Sequence, residues 1–308
     1  GTAAPNPMVG AVLVEGDSII GEGYTSPFGG PHAEVNSIRS VKDPQRRKKA
    51  TLYVSLEPCC HHGKTPPCTD LILEKGIPRV VIGLRDPHEK VAGQGIRQLR
   101  EGGGEVLSGV LEAACRVHHR RFLSFHEKKR PYVILKWAQS PDGFIAPEAG
   151  LRSKNPEPFW ISGPLARQWV HKWRAEEQAI LVGARTALED NPALNLRFWS
   201  GNPPLRMVAD PDLSVPESYR LLDGSTPTIV FHKGTKEGKD IPGVTYKILD
   251  FDAPLAEQVL ACAHSLDILS ILIEGGAQTL QSFLDSGLWD EARVFTGEKP
   301  IKKGLKAP

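Results

Sequence analysis

One histidine, one glutamate and two cysteines between positions 32 and 68 are of the types and spacing that metal-assisted hydrolysis needs. His32 and Glu34 stand in Pro31-His32-Ala33-Glu34, and Cys59 and Cys68 bound the segment Cys59-Cys60-His61-His62-Gly63-Lys64-Thr65-Pro66-Pro67-Cys68. One imidazole and two thiolates are the donor set of an open catalytic zinc, which keeps a fourth position for water. Zinc lowers the pKa of such a water to about 7, so hydroxide is available at neutral pH without a strong base. Glu34 would stand beside that water, outside the metal shell, and carry its proton to a leaving ammonia.

A His-x-Glu segment followed by Pro-Cys is the zinc deaminase arrangement, in which the glutamate is not a ligand and the cysteines are usually spaced Cys-x-x-Cys. Here the interval is wider, and it places His61, His62, Lys64 and Thr65 next to the metal. That suits a substrate with an anionic group close to its reacting base. A closed structural site of Cys59, Cys60, His61 and His62 competes with this reading, but adjacent side chains point in different directions and rarely share one ion. Disulfides are disfavoured, because five cysteines are an odd number and nothing marks the chain as secreted. Cys60, Cys115 and Cys262 read as ordinary thiols.

The elements that must position these residues follow in order. Asn6, between two prolines, reads as a turn before a strand from Val9 to Val14, and Glu15-Gly16-Asp17 as a hairpin turn into Ser18 to Tyr24. Gly29-Gly30-Pro31 breaks the chain before a helix carrying His32, Glu34, Ile38 and Val41, so the first-turn amides face the metal. A strand from Thr51 to Ser55 delivers Glu57-Pro58-Cys59. Thr65-Pro66-Pro67 reads as a cap with proline at the first helical positions, which puts Cys68 near a helix N-terminus, where a thiol pKa falls. Asp86-Pro87-His88 comes after the strand Val80 to Gly83, at the strand end where open α/β sheets place ligands. Gly93-Gln94-Gly95 is too little for a nucleotide loop, and Gly102-Gly103-Gly104 reads as a helix-to-strand connection.

Arg120 to Arg130 is dense in charge and aromatics, and a fresh strand starts at Tyr132. We place a boundary there, giving domains 1–128 and 129–308. Further elements recur at α/β spacing: a helix from Gly163 to Glu176, another around Pro254 to Ala263, and strands at Ala179 to Val182, Leu205 to Ala209, Thr228 to Phe231, Val244 to Leu249 and Ile268 to Ile273. No Gly-x-Gly-x-x-Gly follows the first strand, which argues against a Rossmann domain. Glu274-Gly275-Gly276 lies between a buried strand and a helix, where glycines let backbone amides approach a phosphate.

Composition limits the partners. The 308 residues include 38 basic and 36 acidic side chains, a net charge of +2, so no overall field recommends nucleic acid or an anionic membrane. The run Arg46-Arg47-Lys48-Lys49 reads as a solvated connection. No apolar run reaches the roughly 18 residues of a membrane span and no signal peptide opens the chain, so a reducing cytoplasm is expected. The first motif comes at once after Gly1, which suggests a missing N-terminal helix, and Gly304 to Pro308 reads as cut short or compressed.

Pro5-Asn6-Pro7-Met8-Val9-Gly10, His32-Ala33-Glu34, Glu57-Pro58-Cys59 and the His-Gly-Lys-Thr-Pro-Pro-Cys loop resemble the bifunctional deaminase/reductase of riboflavin biosynthesis. Leu135-Lys136-Trp137-Ala138, Asp190-Asn191-Pro192-Ala193-Leu194 and Glu274-Gly275-Gly276 match the reductase part of that family in order. The resemblance implies a cytidine deaminase-like three-layer α/β/α domain followed by a dihydrofolate reductase-like α/β domain, with one zinc and NADPH as cofactors. It implies zinc on His32, Cys59 and Cys68, catalysis by Glu34, and deaminase substrate contacts from Asn6, His61, Lys64, Thr65 and Asp86. The family usually has asparagine at the position of His88. In the reductase it implies NADPH near Ala138, Trp160, Thr186, Asp190 and Gly276, the phosphorylated sugar near Arg174, Leu194, Arg197 and Glu274, and Lys136 as a proton-handling group. Pro141, Pro158 and Pro211 depart from the family pattern. Trp169 and Trp173 read as core aromatics.

The expected partner is a small phosphorylated pyrimidine, with no nucleic acid and no membrane, and a homo-oligomer is left open. The rival reading is a zinc deaminase of a nucleotide or nucleic-acid base with a non-catalytic second domain. It predicts a basic face interleaved with aromatics, which a nearly neutral chain does not supply. A zinc-stabilised interaction protein is the non-enzymatic alternative, and in it Glu34 would be dispensable.

Overall fold

Gly16, with φ of +57°, turns β1 (Gly10–Glu15) back alongside β2 (Ser18–Tyr24) in an antiparallel pair that closes at Glu15 and Ser18. This is a computed structural model, and it describes residues 2–62, 66–88, 91–148, 157–235 and 238–308. The other edge of β1 pairs antiparallel with β3 (Thr51–Val54); β3, β4 (Arg79–Ile82) and β5 (Glu105–Ser108) then run parallel, giving the order β2-β1-β3-β4-β5. The period of two shows in β3, where Leu52 and Val54 are buried and Tyr53 between them is exposed. Helices α1 (Ala33–Ser40), α2 (Cys68–Glu74) and α3 (Gln94–Glu101) add Ile38, Ile72 and Leu99 to the core that Leu13, Leu52, Val80 and Ile82 build on one face. Gly21 and Gly23 let α1 lie directly on β2, since a Cβ at either would come within 2.5 Å of the Ser37 backbone. That contact fixes the helix that starts at His32.

Two further helices, α4 (Glu112–His118) and α5 (Arg120–Glu127), complete the first unit, Thr2–Lys129. The stretch from Arg120, dense in charge and aromatics, is more than a boundary. It is helical because Phe122, Leu123 and Phe125 are buried while its charges face outward.

The second unit, Arg130–Pro308, is built on seven parallel strands in the order β11-β10-β9-β8-β12-β6-β13. In chain order these are β6 (Tyr132–Gln139), β8 (Ala179–Gly183), β9 (Leu205–Ala209), β10 (Thr228–His232), β11 (Val244–Ile248), β12 (Ser270–Ile273) and β13 (Glu291–Thr296); β7 (Phe144–Pro147) pairs separately with β14 (Gly304–Lys306). The central strands are apolar on both faces, as parallel strands covered on both sides must be. Val133, Leu135, Ile271 and Ile273 meet α8 (Leu255–Ser265) and α9 (Ala277–Ser286) on one face. Ile134, Ile180, Val208 and Leu272 meet Leu194, Leu221 and Leu222 on the other. Two more helices, α6 (Pro164–Glu176) and α7 (Ala184–Asp190), flank β8 in the chain.

Two local expectations change. Pro67 is itself the N-cap of α2, so the prolines precede the first helical position and Cys68 occupies it. Trp169 is 51% exposed and is no core residue: the Lys172 ammonium lies 4.8 Å above its ring, while Trp173, one turn on, stacks on Phe295. Among the described residues no helix is long and apolar enough to cross a membrane.

Candidate active sites

His32 is the N-cap of α1, Cys68 opens α2, and Cys59 comes off the end of β3 through Leu56-Glu57-Pro58. These three origins converge. His32 Nδ1 lies 3.5 Å from Cys59 Sγ and 3.3 Å from Cys68 Sγ, and the Cys68 amide donates to Cys59 Sγ at 3.4 Å. Bonds of about 2.0–2.3 Å from nitrogen and thiolate sulfur to zinc put tetrahedral ligands near such separations, so this donor set fits zinc. Among the described residues it is the one group of three such side chains whose ligand atoms all lie within 4.8 Å of one another. Cys60, His61 and His62 do not join it, which removes the closed structural site.

Hydrogen bonds from Cys68 and from His32 hold the Cys59 thiol at about 4. Cys68, bonded to Cys59 and buried, is pushed up, and His32 is raised by its bond to Cys59. Glu34 is 4% exposed, hydrogen-bonded to Cys68, and lifted by burial to about 7.

Glu57, which the sequence showed only as part of a motif, is a buried clamp. Its carboxylate accepts from the amides of Asp86 at 3.2 Å, Gly93 at 3.0 Å and Ile96 at 3.0 Å, and so ties the start of α3 and the loop after β4 to the strand end bearing Cys59. Asp86 is buried, raised by burial to about 7, and caps the His88 amide at 2.8 Å. The exposed His61 ring stacks with His88 at 6.4 Å, and His88 meets His126 of α5 edge-on at 4.8 Å. Asn6 sits half-buried in its turn, its backbone N–H on Ala3. Lys64 and Thr65 lie outside the described residues.

In the second unit Arg174 of α6 forms a bidentate pair with Glu274, both bonds 2.7 Å, and Lys136 of β6 approaches the same carboxylate at 3.7 Å. Burial pushes Glu274 up, but Arg174 and then Lys136 outweigh it and hold the carboxyl at about 2. Burial lowers the Lys136 ammonium, and Glu274 only partly offsets that. His171 is brought to about 4 by burial, then by Arg174 and Arg197, and its neutral Nδ1 accepts the Arg197 amide at 3.1 Å.

The glycines shape the neighbouring cradle. Gly275 takes φ of +113°, Gly276 is the N-cap of α9, and a Cβ on Gly276 would come 2.9 Å from Thr186 Oγ1 in the first turn of α7. A Cβ on Gly183 would stand 2.5 Å from Thr279 Oγ1. Two helix starts therefore abut with only glycine between them, the setting in which amides receive phosphate oxygens. Ala138 is half-buried on β6, Asp190 ends α7, and Trp160 is half-exposed under the Arg167 guanidinium at 4.6 Å. Leu194 is 3% exposed with φ of +50°; its side chain belongs to the core and only its backbone can meet a ligand. His171, His126 and Glu57 escaped the sequence reading. Glu57 alone left a trace there, within Glu57-Pro58-Cys59.

Comparison with known proteins agrees with this division. Residues 1–84 match the cytidine and deoxycytidylate deaminase zinc-binding region, and residues 131–299 match the RibD C-terminal domain. Riboflavin biosynthesis protein RibD of Aquifex aeolicus is 39% identical over 99% of this chain and 84% of its own length; that of Escherichia coli is 34% identical over 97% and 83%. A crystal structure from Thermotoga maritima, described as a diaminohydroxyphosphoribosylaminopyrimidine deaminase/5-amino-6-(5-phosphoribosylamino)uracil reductase, is 40% identical over 99% of this chain and 84% of that one, with a TM-score of 0.88. RibD of Acinetobacter baumannii gives a TM-score of 0.89 at 33% identity, over the same shares. Fold and site thus define a zinc deaminase joined in one chain to a reductase. The chain belongs to the riboflavin biosynthesis protein RibD family.

Proposed function

We propose that the chain hydrolyses the exocyclic amine of 2,5-diamino-6-ribosylamino-4(3H)-pyrimidinone 5′-phosphate and then reduces the ribosyl group to ribityl with NADPH. The observation that carries the first step is the convergence of His32, Cys59 and Cys68 with the buried Glu34 carboxyl beside them. Zinc held by those three supplies the Lewis acidity that makes hydroxide available near neutral pH. Glu34 takes the proton of the attacking water and gives it to the departing amine, which leaves as ammonia. Asn6, His61 and Asp86 orient the base, with Lys64 and Thr65 on the phosphate.

In the second unit NADPH, which supplies the hydride, is received by Gly276 and Thr186 at the abutting helix starts and by Ala138, Trp160 and Asp190. Leu194 through its backbone, Arg197 and the Arg174–Glu274 pair hold the phosphorylated sugar. Lys136, its ammonium weakened by burial, delivers the proton that accompanies the hydride. A reducing cytoplasm suits a chain whose five cysteines form no disulfide. The test is incubation of the zinc-loaded protein with the diamino substrate, following ammonia and then NADPH absorbance. Ammonia release without subsequent NADPH oxidation would leave only the first half standing.

A further inference from the structure

β1 and β3 run antiparallel with Ala11 opposite Val54 and Val12 opposite Tyr53. At the next rung the Ser55 amide donates to the Gly10 carbonyl at 3.1 Å, and the return bond goes to a side chain, the Gly10 amide donating to Ser55 Oγ at 3.1 Å. Beyond this rung the two chains part, since Pro7 and Pro58 carry no amide hydrogen to continue a ladder. Counted along the same register, Asn6 on one arm falls level with Cys59 on the other. Whatever fixes the last rung and the start of each arm therefore sets Asn6 relative to a metal ligand. The Cys59 arm has its anchor in the Glu57 carboxylate.

The Asn6 arm is anchored from the junction of α4 and α5. His118, the last residue of α4, donates from Nε2 to the Met8 carbonyl at 2.6 Å. His119, between the two helices, is 2% exposed and places its Nε2 3.1 Å from Ser55 Oγ, so the hydroxyl that completes the rung is itself held by a ring. The two adjacent rings meet edge to face at 4.7 Å. Thr25 Oγ1, just past β2, accepts the Val9 amide at 3.0 Å. Met8, Val9 and Gly10 are thus each tied, the first directly to a histidine and the last to a histidine through Ser55. Burial first, then His118, bring the His119 imidazole to about 4, so its role is a hydrogen bond and not a charge. Its Nδ1 is meanwhile buried without a partner among the described residues. A buried polar atom left unpaired destabilises the fold, and an apolar ring would fill the same space without that cost.

We infer that His118 and His119 are positioning residues for deamination, which hold Met8 to Gly10 against the end of β3 and through that segment aim Asn6 at the base. The inference rests on the deaminase reading, in which Asn6 touches the base, and names the groups that set it.

The test uses the full-length, zinc-loaded protein with His118→Leu and His119→Leu, each beside its Gln counterpart, which keeps a side-chain amide in place of the ring nitrogen. Should His119→Leu fail to fold, Ser55→Ala removes the same bond. Each Leu variant should raise KM for the diamino substrate by roughly 2–13-fold, the range of a neutral hydrogen bond, while zinc content and kcat stay near wild type. His118→Gln should recover most of the loss. In an Asn6→Ala background His118→Leu should add nothing further, because the histidine acts through that residue. Hydrogen exchange should quicken at the amides of Asn6, Met8, Val9 and Gly10 and stay unchanged from Glu57 to Cys60. A KM penalty that persists in full in the Asn6→Ala background overturns the inference, as does loss of zinc or of kcat with KM unmoved, which would make the histidines supports of the metal arm. An Asn6→Ala variant with unchanged KM overturns it too. Should wild type release no ammonia from the diamino substrate, the proposed function fails, and the exchange pattern still decides whether the histidines hold this segment.

Discussion

The two units bury carboxylates to opposite ends. In the first, burial is the largest influence on Glu34 and Asp86, no described guanidinium or ammonium offsets it, and both are raised to about 7. In the second, Glu274 is just as buried but sits between Arg174 and Lys136 and stays at about 2. The residue type is the same or nearly so; the neighbours decide. A carboxyl poised near neutrality can take and return a proton in one turnover, which hydrolytic deamination demands. One held far below neutrality is a fixed anion, suited to orienting cations and hydroxyls while the cofactor supplies the hydride.

The strongest way to break this comparison is to remove one centre and watch the other. Cys68→Ser should abolish ammonia release yet leave NADPH oxidation on already deaminated substrate, since the two sites stand on separate cores. Loss of both activities from a folded variant would mean one composite site. Next in size is Glu34→Gln, which should keep one zinc per chain by metal analysis while deamination falls about 10²–10⁴-fold. Loss of zinc from that variant would make Glu34 a ligand. In the second unit Glu274→Gln leaves Arg174 and Lys136 without their shared anion, and kcat/KM of the reductase should drop by roughly 10–150-fold, the loss of a charged hydrogen-bond partner. Unchanged reductase kinetics would show that the anion is dispensable there.

What could be read from the sequence was what local spacing dictates. His32 and Glu34 lie within the first turn of one helix, Cys59 ends a strand and Cys68 opens a helix, so their convergence needed only those elements to pack as an α/β layer. Glu57 was opaque because the amides it receives belong to Gly93 and Ile96, well beyond the next strand. Arg174 and Glu274 were both visible as candidates, yet nothing local says that residues 100 positions apart would pair. Trp169 shows the opposite failure. As large aromatics it and Trp173 both read as core, but α6 turns only Val170 and His171 fully inward, and Trp169 is left under the Lys172 side chain.

The smallest expected effect concerns stability and sharpens the comparison by its sign. Glu274 has its folded value depressed from 4.5 to about 2, so below pH 4.5 the unfolded chain takes up a proton at this position that the folded unit resists. The linked stability is therefore fully present above pH 4.5 and is lost as pH falls toward 2. A shift of this size corresponds to an order of magnitude of about 3 kcal/mol, carried by the contacts to Arg174 and Lys136. Glu274→Gln removes that dependence. The difference in unfolding free energy between wild type and Glu274→Gln, measured by denaturant titration, should be flat from pH 7 to 5 and should shrink steadily below 4.5. Asp86, raised rather than depressed, predicts the reverse slope: its contribution is present below pH 3.8 and fades as pH rises through 7, so the wild type minus Asp86→Asn difference should decline toward neutral pH. If the two difference curves slope the same way, the buried acids of the two units are not held in opposite states, and the contrast between a proton shuttle and a fixed anion falls with it.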